Sequence, residues 1–110
     1  MLRALGKITV TTPGTPVSIS SILPPDLTSP AVHSVMLQAI PANTGNVYIG
    51  STALNKTTLA GVYSILAIPT ANSVPSFSAV HNLFGQGIQL NDMMIDADNA
   101  GGGVIATVVY

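Results

Sequence analysis

The chain has 110 residues, the length of one ordinary domain, and 47% of them are apolar. Formally charged residues make up only 6%, against about 25% in a typical soluble domain, and there is no glutamate. Three basic residues neutralise too few phosphates for a nucleic-acid partner, and the longest apolar run, Ile65-Leu66-Ala67-Ile68, falls far short of the ~20 residues of a spanning helix.

Taken in order, the predicted elements are short strands with period-2 alternation. Ile8 and Val10 alternate with Lys7, Thr9 and Thr11. Val17 and Ile19 alternate with Ser18 and Ser20, and the pattern slips at Ser21 before Ile22, as a bulge would make it. Val35, Leu37 and Ala39 share one face, with Ser34, Met36 and Gln38 opposite. Val47 and Ile49 flank Tyr48. Val62, Leu66 and Ile68 lie on one side of the next segment, with Tyr63, Ile65 and Ala67 on the other. Phe77 and Ala79 alternate with Ser76 and Ser78, and Met93 and Ile95 with Met94 and Asp96. The last segment alternates Val104, Ala106, Val108 and Tyr110 with Ile105, Thr107 and Val109.

Turn chemistry separates these segments: Thr12-Pro13-Gly14, Leu23-Pro24-Pro25-Asp26, Asn43-Thr44-Gly45-Asn46, Ala71-Asn72-Ser73 and Asp98 to Gly103. Eight scattered prolines leave no room for a long helix, and only Ser51 to Ala60 is free to hold a helical turn. The expected fold is all-β: a jelly-roll-like antiparallel β-sandwich of about eight short strands, one domain over residues 1–110. Residues 11–31 are rich in Pro, Ser and Thr, so 1–32 is expected as an N-terminal arm or strand region.

The scarcity of charge has a physical meaning. Near-zero net charge favours association, and charges are depleted from interface cores because their desolvation is costly. Val62–Ile68 and Val104–Tyr110 are apolar on both faces, whereas a strand in a two-layer sandwich needs only one apolar face. Contact with another subunit is the simplest cover for the second face, and a folded-back N-terminal arm is another. The chain is expected to work by packing against other proteins.

Candidate chemistry is thin. Asp92, Asp96 and Asp98 are the clustered acids, but on a strand Asp92 and Asp98 would lie roughly 20 Å apart, too far to share an ion unless the chain turns sharply. His33 and His81 are the only histidines, there is no cysteine nucleophile and no Gly-x-Ser-x-Gly elbow. Gly101-Gly102-Gly103 lacks the Lys-Ser/Thr of a phosphate loop and leads into a strand. The chain has no tryptophan platform for sugars, and Met36, Met93 and Met94 read as core or interface filler. Expectations are therefore no catalytic residue, no metal and no cofactor. The segment Met1 to Lys7 lacks the apolar core of a signal peptide.

Two stretches stand out: Asn43-Thr44-Gly45-Asn46-Val47-Tyr48-Ile49-Gly50, and Leu90-Asn91-Asp92-Met93-Met94-Ile95-Asp96-Ala97, followed by glycines and a terminal strand from Val104. Together they resemble small virion structural proteins of tailed bacteriophages. The resemblance spans roughly residues 33 to 110 and departs at Pro69-Thr70-Ala71-Asn72, where that group often carries a Pro-Gly with a charged residue. It implies a head decoration (cement) protein on the capsid exterior, homotrimeric, bound to the major capsid protein, without nucleic-acid or membrane partners. A neck or tail component, or a receptor- or carbohydrate-binding module, is the alternative. The expected contact residues are Val62, Tyr63, Ile65, Leu66, Ala67 and Ile68, with Pro24, Pro25 and Leu27 in the arm.

Overall fold

A computed structural model describes residues 2–22, 33–68, 77–81 and 92–109, and for Ile22 and residues 77–81 the backbone alone. The strands are β1 (Leu2–Thr9), β2 (Val17–Ser18), β3 (Ser34–Ala39), β4 (Val47–Gly50), β5 (Val62–Leu66), β6 (Phe77–His81), β7 (Met94–Ala97) and β8 (Gly103–Val109). No α-helix occurs among the described residues. Among the described residues the strands form two antiparallel sheets of four, β1-β8-β3-β6 and β2-β7-β4-β5. The first strand pairs with the last, β2 with β7, β3 with β6 and β4 with β5.

Alternation decides which side chains meet between the layers. Val35, Leu37 and Ala39 of β3 lie across from Val108, Ala106 and Val104 of β8, and all six are buried. The second sheet contributes Val47 and Ile49 from β4, Ile95 and Ala97 from β7 and Leu66 from β5 to the same apolar cluster. Each fully buried Val, Leu or Ile contributes roughly 1.5–3 kcal/mol relative to its exposed state. The β-branched residues that dominate these positions suit the pleated surface they occupy.

Some expectations are met in a different form. β1 begins at Leu2, well before Lys7, and its register with β8 shifts between Ala4 and Gly6. Gly6 has φ +94°, a conformation that glycine adopts without penalty and that lets the bulge form. The slip at Ser21 is not a strand bulge but a 3-10 turn over Ile19–Ile22. Ser18 Oγ accepts the Ser20 backbone N–H at 3.2 Å, which turns the chain out of β2 while Ile19 stays in the core. The described part of residues 1–32 therefore supplies β1, β2 and core residues Ile8, Val10 and Ile19. Pro24, Pro25 and Leu27 lie outside the described residues. Residues 51–61 form successive tight turns rather than a helical segment.

Candidate functional site

The two stretches singled out in the sequence are neighbours in the fold. β4 and β7 pair directly, with Val47 opposite Ala97, Tyr48 opposite Asp96 and Ile49 opposite Ile95. Their loops interlock at one end of the sandwich. Buried Asn43 donates from Nδ2 to the Gly103 carbonyl at 2.9 Å and accepts the Gly103 N–H on Oδ1 at 3.0 Å. Asp98 accepts the Asn46 N–H at 3.1 Å and the Tyr48 hydroxyl at 3.0 Å. Asn99 donates to Thr44 Oγ1 at 3.1 Å. Gly45 fits against this arrangement because a Cβ there would sit 2.7 Å from the Asp98 Cβ. These residues serve the architecture: each side-chain group bonds a loop to its neighbour.

Desolvation of the Tyr48 phenol, and then its hydrogen bond to the Asp98 carboxylate, raises its pKa above the ordinary 10.0. The folded state thus holds this proton more tightly than the unfolded chain. The associated stability is present below the unfolded-state value and is lost as pH rises through the folded one, in the alkaline range above about pH 10. In an absorbance titration of phenolate, Tyr48 should ionise above the ordinary 10.0, and Asp98→Asn should move that step downward.

The outer face of the β2-β7-β4-β5 sheet carries a second feature. Asp96 points away from core residues Ile95 and Ala97, yet it is only 1% exposed. The cover comes from two loops. Gly14, in the turn between β1 and β2, donates its N–H to Asp96 Oδ1 at 3.0 Å, and the Ala97 N–H donates to the same oxygen at 2.8 Å. The β4–β5 loop folds back over the sheet, with Lys56 Nζ donating to the Ala97 carbonyl at 2.8 Å. Its buried Leu54 sits above Gly50, where a side chain would collide with the Gly61 carbonyl oxygen. Between these loops lies a cleft of about 200 Å³ lined by Gly14, Leu54, Asn55, Lys56, Thr57 and Asp96.

The third feature is apolar. Among the described residues β5 is an edge strand, paired only with β4 in its sheet. On it and beside it Leu59 is 50% exposed, Tyr63 63%, Ile65 44% and Ile68 47%, while Leu66 turns inward at 1%. No Asp, Glu, Lys or Arg occurs from Thr57 to Asn91. Edge strands usually carry a charge that discourages pairing with another chain, and this one does not. Leu59 also has φ +63°, a left-handed conformation that costs a non-glycine residue roughly 1–2 kcal/mol. Its carbonyl accepts the Val62 N–H at 3.4 Å in the turn that leads into β5, while half of its side chain remains exposed.

The expected contact residues divide accordingly. Tyr63, Ile65, Ala67 and Ile68 are exposed, Val62 is half-buried and Leu66 belongs to the core. Ile68 was expected on the Leu66 side, but β5 ends at Leu66 and the Ile68 N–H is instead bonded to Asn46 Oδ1 at 3.0 Å. Leu59 was missed, because its left-handed backbone carries no sequence signal. The Asp92, Asp96 and Asp98 side chains are not brought together; Asp92 and Asp98 are exposed at opposite ends of β7. Among the described residues no group of three His, Cys, Asp or Glu side chains is arranged to hold a metal. His33 is exposed, and Ser34 next to it pairs across the sheet with His81 of β6. No family model, curated protein or solved structure matches this chain.

Proposed function

We propose that the chain is a structural protein of a virus particle, a head decoration protein that self-associates as a homotrimer and binds the major capsid protein from outside. The observation that carries the reading is the uncharged β5 edge, where Leu59, Tyr63, Ile65 and Ile68 are exposed together. A chain that performs no reaction but bridges neighbours gains from apolar area buried, at about 25 cal/mol per Å² before the costs of association. Scarce charge keeps the desolvation cost of such a contact low.

The strand pairing supports a jelly roll within this reading. Pairing of β1 with β8, β2 with β7, β3 with β6 and β4 with β5 is what a long hairpin makes when it is rolled into two sheets. The resemblance of residues 43–50 and 90–97 to phage virion proteins points the same way.

Leu59 gives a separate check of the surface. Leu59→Gly removes the left-handed strain and an exposed apolar group, so the isolated domain should gain up to about 1 kcal/mol in denaturant unfolding. Assembly should weaken in the same variant. Unchanged assembly would exclude Leu59 from the contact.

Quantitative mass spectrometry of purified particles, against the major shell protein, tests the function itself. Copies approaching those of the shell protein are expected. A handful per particle would move the chain to the neck or tail, and absence from particles would overturn the virion reading.

A further inference from the structure

The cleft beneath the β4–β5 loop belongs neither to the core nor to the β5 surface. Its chemistry is mixed and balanced. Asp96, 1% exposed, has Oδ1 saturated by the Gly14 and Ala97 N–H groups, while no bond to its Oδ2 is present among the described residues. Lys56 commits one of its three N–H donors to the Ala97 carbonyl. Asn55, which lines the cleft, accepts the Thr57 and Thr58 N–H groups on Oδ1 at 2.9 and 3.1 Å, so its Nδ2 is the group left to donate. Thr57 adds a hydroxyl.

This set rejects ions of either sign. An added cation meets the Lys56 ammonium, and an anion meets the Asp96 carboxylate; a neutral molecule meets neither penalty. It must donate to Asp96 and accept from Lys56 and Asn55, which adjacent hydroxyl groups do. The volume, about 200 Å³, suits one small polyol rather than a peptide or nucleotide. We propose that the cleft formed by Gly14, Asn55, Lys56, Thr57 and Asp96 binds a neutral vicinal diol, one sugar residue of a glycan. Leu54, in the same wall, offers the apolar contact for the sugar's C–H face. The proposal does not rest on the virion reading: it is argued from the cleft's own side chains, although Asp96, Tyr48 and Ile65 lie in one cross-strand row on the outer face of this sheet.

Amide-resolved NMR titration of the full chain tests it, with methyl α-D-glucopyranoside, methyl α-D-mannopyranoside and methyl β-D-galactopyranoside as probes into the decimolar range. At least one glycoside should give saturable shifts confined to Gly14, Leu54 to Thr57 and Ala97. Lys56→Met, which keeps the apolar stem, should weaken that binding about tenfold or more with the rest of the spectrum unchanged. Thr57→Val, at an exposed position, should weaken it less and serves if the lysine variant fails to fold. No saturable shift with any glycoside, shifts centred elsewhere, equal binding in the folded variants, or the same shifts with calcium chloride alone would each overturn the proposal.

Discussion

Leu66→Asp should leave the chain unfolded, whereas Ile65→Asp, one residue earlier, should fold normally and fail to assemble. Leu66 is 1% exposed and packs in the cluster between the sheets, opposite Val47. A carboxylate there is buried without a partner, and such changes cost more than about 4–5 kcal/mol, a large share of the roughly 5–15 kcal/mol that holds a domain together. Ile65 points the other way, is 44% exposed and pairs across β4 with Tyr48. An acid there meets water but gives up strand propensity, so the expected loss is about 1 kcal/mol, far below that at Leu66. The same charge would be desolvated in any subunit contact that covers β5. Circular dichroism and thermal unfolding read the first effect, and sedimentation or particle binding reads the second. A folded Ile65→Asp protein that still assembles would remove β5 from the interface.

The second large effect is expected at Gly103. Its N–H and carbonyl are both held by Asn43, and the Ile40 N–H also donates to that carbonyl at 3.2 Å. A methyl group at this position would collide with the Ile8 carbonyl oxygen and lie 2.9 Å from the Thr9 Cα. These are backbone atoms of β1, so no side-chain rotation relieves the clash. Gly103→Ala should cost about 3 kcal/mol, at the upper end of overpacking penalties. That corresponds to a fall in Tm of roughly 12 °C or more, at about 4 °C per kcal/mol for a domain of this size. Gly101→Ala offers the comparison: φ is +85° but a Cβ meets nothing within 4 Å, so its loss reflects backbone strain alone and should be smaller. Equal losses in the two variants would mean that β1 moves aside freely.

Much of the fold was legible because alternation is a local property. The inward rows of β3, β4, β7 and β8 follow from Val35 to Ala39, Val47 to Ile49, Ile95 to Ala97 and Val104 to Val108 without knowledge of partners. The same pattern placed Asp96 on the outer face. It did not place the cover over Asp96, because that comes from Gly14 and Lys56, which are 82 and 40 positions away in sequence. Similarly, the apolar second face of Val62–Ile68 was visible, but whether another strand of the same sheet would flank it depends on strand order. The turn at Ile19–Ile22 misled because a 3-10 turn and a bulge both interrupt period two by one residue. Side-chain capping by Ser18 decides between them, and a serine is common in both settings.

The pairing of β1 with β8 also sets a timetable. Leu2 meets Val109 and Thr9 meets Gly103, so β1 waits on the ribosome until β8, about a hundred residues later, has been synthesised. Until then Ile8 and Val10 have no sheet to complete, and a chain dominated by such distant partners folds slowly, in milliseconds to seconds. During that interval the charge-free stretch from Thr57 to Asn91 is exposed to neighbouring chains. Raising expression should therefore increase aggregated product before it increases folded product, and cooler, slower synthesis should favour recovery of the folded chain.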